Sequence, residues 1–105
     1  MRYEEIVEKM RKLIDTKDVS KVHRHLAYQF NITGEGEGIF YIEVKDGKAY
    51  VEPYDYHDRH ACFICEAKVL FDIIEGKLDP VKAFEDKKLK VEGDLGMALK
   101  LKDFI

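Results

Sequence analysis

The stretch GKLDPVKAFEDKKLKVEGDLGMALKL, from Gly76 to Leu101, decides the fold of this chain. Just before it, Val69, Leu70, Ile73 and Ile74 recur at helical spacing, and Gly76 is placed to end that helix. Asp79-Pro80 begins another: an Asp N-cap followed by Pro at the first helical position, where its missing N–H costs nothing. Val81 and Phe84 are the apolar positions of this short helix. Leu89 and Val91 then alternate with Lys88, Lys90 and Glu92 as a strand, Gly93 turns the chain, and Asp94 can cap a final helix from Leu95 onward. That last helix is over-apolar. Leu95, Met97, Ala98, Leu99, Leu101, Phe104 and Ile105 cover more than the single stripe a small domain needs, so either the helix is wrapped on most sides or part of its apolar surface faces something outside the chain, such as a lipid.

Upstream of this stretch the period changes to two. Leu26, Tyr28, Phe30 and Ile32 alternate, the Gly34–Gly38 loop breaks the pattern, and Phe40, Ile42 and Val44 resume it. Asp46-Gly47 between strand patterns is a strong hairpin signal. It pairs Lys45 with Lys48, Val44 with Ala49, Ile42 with Val51 and Phe40 with Pro53. Pro53 lacks a ladder donor and suits a sheet edge. Residues 60–66 read as a fourth strand, with Ala61, Phe63 and Cys65 on one face. At the start of the chain, residues 3–15 carry Ile6, Val7, Met10, Leu13 and Ile14 at helical spacing, which predicts a one-sided surface helix.

The chain of 105 residues is read as one domain, 1–105, large enough to bury a core without disulfide or metal staples. Its net charge of −3, with Lys and Glu interleaved, argues against a general nucleic-acid binder. No apolar run approaches the ~20 residues needed to cross a bilayer. The N-terminus MRYEEIVEKM lacks the basic flank and apolar block of a signal peptide. With two cysteines, the expectation is reduced thiols and a cytoplasmic location.

Catalytic and metal chemistry find little support. His57, His60, Cys62 and Cys65 imitate ligand spacing, but Cys62 and Cys65 point to opposite faces of a strand. A sharper cluster of His23, His25, His60 and Cys62 forms only if the first and fourth strands are neighbours. Against it stands the plainer reading of Cys65 as a small core hydrophobe and of the histidines as solvated surface groups. Ser20 is the only serine and lies in a loop, and no nucleophile–base pair stands out. No cofactor and no enzymatic role are expected.

The ordered elements Gly76, Leu78-Asp79-Pro80, Ala83-Phe84, Leu89-Lys90-Val91, Gly93-Asp94, Met97, Ala98 and Leu101 resemble the signature of the sterol carrier protein type 2 family. Phe30-Asn31-Ile32-Thr33-Gly34 and the Asp46-Gly47 hairpin fall at that family's spacing, so the resemblance spans roughly residues 20 to 105. Two departures stand out. Lys87 occupies a turn position where the family usually has glycine, and His60–Cys65 replaces a more polar run. The resemblance implies an α+β fold: a five-stranded, mostly antiparallel (mixed) sheet, helices on one face, and an apolar tunnel between the two layers. It also implies non-enzymatic binding, and transfer, of a sterol, fatty acid, acyl-CoA or phospholipid, compatible with transient membrane contact.

The expected lipid-lining residues are Phe40, Ile42, Leu70, Ile73, Ile74, Phe84, Met97, Leu101 and Phe104. Residues at these spacings are more often plain core. If most are, the alternative is an interaction or accessory module with a filled cavity. The outer sheet face, with Ile39, Tyr41, Tyr50 and Tyr54 outward and Ile64 nearby, offers a homodimer surface.

Overall fold

A computed structural model of the chain describes residues 1–56 and 58–103. Five strands, β1 (Leu26–Thr33), β2 (Gly38–Lys45), β3 (Lys48–Glu52), β4 (Ala61–Glu66) and β5 (Leu89–Gly93), form one sheet in the order β3-β2-β1-β4-β5. β1 and β4 run parallel, and the other pairs are antiparallel. The helices are α1 (Tyr3–Asp15), α2 (Ala67–Ile74), α3 (Pro80–Glu85) and α4 (Leu95–Leu99), the last continued by a 3-10 turn over Lys100–Asp103.

Local chemistry sets each boundary. Glu5 accepts a hydrogen bond from the Arg2 backbone N–H at 3.0 Å, satisfying an orphan donor at the start of α1. In the β2–β3 turn, Asp46 and Gly47 both have positive φ, 53° and 76°, the two-residue geometry whose twist matches the flanking strands. The register is the expected one from Val44↔Ala49 to Ile42↔Val51. β3 stops at Glu52, so the ladder closes with Tyr41↔Glu52 and Pro53 lies beyond it. Asp79 Oδ1 accepts from Val81 N at 3.1 Å with Pro80 following it, and Asp94 Oδ1 accepts from Met97 N at 3.1 Å. Gly93, at φ 96°, turns β5 into α4 against β4. A Cβ there would stand 2.9 Å from the His60 carbonyl oxygen.

The core lies between the inner face of the sheet and the helices. Phe30 stacks on Phe40 at 5.2 Å and on Phe63 at 5.3 Å, and Phe63 meets Tyr28 at 5.6 Å, so an aromatic row crosses β2, β1 and β4. Ile6, Met10 and Ile14 of α1, and Leu70 and Ile74 of α2, close over it. Joining β3 at one edge to β4 beside β1 requires the chain to cross β2 and β1. It does so on the outer face, where Tyr56 N and Arg59 Nη1 both donate to Gln29 Oε1, at 3.1 and 3.2 Å. Gln29 is buried; this connection satisfies its Oε1, and its Nε2 donates to Asn31 Oδ1 at 2.9 Å.

Candidate functional site: an apolar cleft beside the final helix

The surplus apolar surface of the last helix has a definite place. Leu95, Ala98 and Leu99 of α4 face Pro80, Val81 and Phe84 of α3 across a cleft of about 210 Å³, with Phe63, Val91 and Lys102 completing the lining. Phe63 is the buried end of the aromatic row and forms part of the lining. Phe84, Leu95 and Leu99 are 49%, 57% and 58% exposed. Three large hydrophobics half open to water around one hollow form a patch that a second apolar body would cover favourably.

Pro80 at the start of α3 sets the direction of that helix, and its Asp79 cap keeps the first turn wound. Tyr28 Oη donates to the Met97 carbonyl oxygen at 2.6 Å, which ties α4 to β1. Among the described residues the only charged group on the lining is Lys102, whose Nζ lies 3.4 Å from Asp79 Oδ1. A second hollow of about 300 Å³, lined by Ile73, Gly76, Leu78, Asp79, Pro80 and Lys102, adjoins the first. A cleft of about 560 Å³ between α1 and α2 is of another kind. Its lysines and acids pair with each other, as in Lys77–Glu75 at 3.0 Å and Lys68–Asp72 at 3.3 Å.

The residues expected to line a lipid site divide among these surroundings. Phe84 lines the apolar cleft, and Ile73 lines the adjoining hollow. Phe40, Ile42, Leu70 and Ile74 are sealed in the core, filling the space between sheet and helices. Leu101 is buried beneath the end of α4, and Met97 is half-buried on the side turned toward Tyr28 and Arg24. Phe104 lies outside the described residues. Val81, Val91, Leu95, Ala98 and Leu99 were not singled out as lining. Their signal was the over-apolar final helix, but its facing wall on α3 and β5 is a tertiary fact.

The histidine–cysteine cluster takes a different form from a metal centre. β1 and β4 are neighbours, and the His25 and His60 rings lie 5.9 Å apart. His60 Nδ1, however, accepts the Ala27 backbone N–H at 3.0 Å, and His25 Nε2 contacts Glu43 Oε2 at 2.6 Å. Among the described residues no three His, Cys, Asp or Glu side chains are grouped to hold a metal ion. His57 lies outside the described residues. Cys62 and Cys65 are both buried free thiols on opposite faces of β4. Burial, reinforced by the Glu66 charge, pushes the Cys65 thiol up to about 12. On the outer face Ile39, Tyr50 and Tyr54 are exposed, while Tyr41 is half covered by the Tyr56 ring at 5.0 Å.

The model of the SCP-2 sterol transfer family matches residues 7–105. The chain belongs to that family. An SCP-2 domain is a lipid-binding fold, and lipid binding and transfer in the general sense come with membership. The chain is 35% identical over 81 residues to hydroxysteroid dehydrogenase-like protein 2 of Xenopus tropicalis, a match covering 74% of this chain and 19% of that protein. The chain therefore spans only a small part of the length of the curated relatives it matches. Among solved structures, the sterol carrier protein domain 2 of Helicoverpa armigera superposes with a TM-score of 0.63 at 30% identity, covering 96% of this chain and 80% of that one. The palmitated SCP2L2 of Aedes aegypti superposes with a TM-score of 0.68 at 18% identity, covering 98% and 93%, and shares the fold. No helix among the described residues is long and apolar enough to cross a membrane.

Proposed function

We propose that this SCP-2 domain binds the hydrocarbon part of a lipid, without covalent chemistry, in the cleft between α3 and α4. The observation that carries the reading is the convergence of half-exposed Phe84, Leu95 and Leu99 on one hollow whose lining, among the described residues, has a single charged group. Each methylene buried there contributes about 0.8 kcal/mol, so affinity accrues with chain length rather than from polar contacts. The ligand is a sterol, fatty acid, acyl-CoA or phospholipid. The palmitated state of the mosquito protein favours an acyl chain.

Phe84, Val81, Leu95 and Leu99 are the proposed contact residues, and Ile73 would meet a chain that runs on into the second hollow. Met97 and Leu101 hold α4 as the wall. Phe40, Ile42, Leu70 and Ile74 are the packed backing of the site.

Organic extraction and mass spectrometry of the purified protein, together with titration of a fluorescent fatty-acid probe, test the reading. The expected results are a co-purifying acyl chain or micromolar binding of the probe, and a loss of about tenfold or more in Leu99→Asp. That variant adds a charge to the cleft rim at a position already exposed. A probe that neither binds nor is displaced at micromolar concentration would sink the carrier reading and leave a module with a filled cavity.

A further inference from the structure

We propose that Lys102 selects the lipid head group, and that its ion pair with Asp79 is a latch opened by an anionic lipid. The inference rests on the cleft's being the lipid site. Among the described residues Lys102 is the one charged residue on an otherwise apolar lining, and with Pro80 it belongs to both the 210 Å³ cleft and the 300 Å³ hollow beside it. Its side chain stands at the boundary between them. A hydrocarbon tail among Val81, Phe84, Leu95 and Leu99 therefore puts the polar end of the molecule within reach of a cation and of nothing else charged on that lining.

The latch costs little to open. The Lys102 and Asp79 side chains are 46% and 57% exposed, and water screens a pair so wet until little of its attraction is left. Asp79 does not depend on Lys102, because its Oδ1 also accepts the Val81 N–H as the cap of α3. A ligand carboxylate can replace Asp79 at the Lys102 ammonium while the helix cap persists. The swap exchanges one carboxylate for another at the Lys102 ammonium, the residue that lines both the cleft and the hollow beside it. A hydroxyl head brings no charge and leaves Asp79 paired. The preferred ligand is thus a single-chain lipid with an anionic head, bound ahead of its neutral counterpart.

The test is displacement of a neutral dansyl-alkylamide probe by dodecanoic acid and by 1-dodecanol at pH 8. The wild-type protein should favour the acid roughly three- to tenfold. Lys102→Met should bring the ratio to about one by weakening the acid alone. Lys102→Gln checks that this reflects charge and not packing. Asp79→Asn keeps an equally good N-cap but removes the competing charge, so it should raise the preference for the acid. Equal displacement in the wild type, or a preference that survives both Lys102 variants, overturns the selector. A probe that does not bind at all overturns the cleft reading itself, and the selector with it.

Discussion

Tyr28, fully buried in the middle of β1, donates its hydroxyl to the backbone carbonyl of Met97 at 2.6 Å. This bond ties the first strand to the last helix, and with it one wall of the apolar cleft. α4 is only five residues long, too short to persist by its own hydrogen bonds, and none of its residues is fully buried. Its position depends on the Asp94 cap, the buried Leu101 that follows it and this tether.

Removing the hydroxyl in Tyr28→Phe should therefore act at a distance. The expected loss in stability is about 1–2 kcal/mol, read from the denaturant midpoint. The amides of Met97 to Lys100 should exchange faster with solvent, and acyl-probe affinity should fall even though Tyr28 does not line the cleft. Unchanged exchange in α4 would show that the tether is dispensable.

Lys87 offers the opposite kind of change. It sits after α3 with φ 62°, a left-handed conformation that disfavours any residue bearing a Cβ. Lys87→Gly should stabilise the protein by about 0.5–1 kcal/mol, the relief of the strain less the extra freedom of the unfolded chain. Thermal unfolding checks the sign. The turn between α3 and β5 keeps its geometry with lysine in it, at this energetic cost.

Acid should weaken the outer face. Burial pushes the Glu43 carboxyl up, but hydrogen bonds from His25 and Tyr56 outweigh it and hold the group below the ordinary glutamate value of 4.5. A carboxylate depressed in the folded state contributes stability that is present in full above its unfolded value and disappears as pH falls through the folded one. Stability measured by denaturant from pH 7 to pH 3 should therefore decline below about pH 4.5. In Glu43→Gln the decline should be shallower. An equal slope in both proteins would assign the acid sensitivity to other carboxylates.

The cysteines should be silent in the folded protein. Cys65, pushed up to about 12 by burial and by the Glu66 charge, is almost wholly a thiol at pH 8, and burial also raises Cys62. Neither is expected to react with a disulfide reagent until guanidinium unfolds the chain, when both should react. Cys65→Ser should destabilise more than Cys65→Ala, because the serine hydroxyl loses its water on burial while alanine leaves only a small void.

Much of this architecture is legible residue by residue. The span of α1 follows from the period of Ile6, Val7, Met10 and Ile14, and the β2–β3 register follows from Asp46-Gly47, because helical and strand periods and turn conformations are local preferences. The starts of α3 and α4 are written in Asp79-Pro80 and Asp94, whose side chains cap only the next two or three residues. The end of β3 was less legible: the alternation carries the pairing on to Pro53, but the ladder closes at Tyr41↔Glu52, one residue short of the proline that has no N–H to donate.

The site depended on tertiary structure. An excess of apolar residues after Leu95 can be seen in the chain, but whether they are buried or open depends on what stands opposite. The facing wall comes from Val81 and Phe84, with Val91 and Phe63 beside it. Phe40, Ile42, Leu70 and Ile74 have the same apolar character and are sealed in the core, because the sheet and the helices meet over them. His60 was ambiguous for the same reason: its ring became an acceptor for Ala27 only when β4 was laid beside β1. Periodicity and capping act over a few residues, and so the chain alone fixes the helices, the strands and most of their ends. A cleft is a relation between surfaces far apart in the chain, and only the packing of α3, α4, β4 and β5 decided which apolar side chains remain open to a ligand.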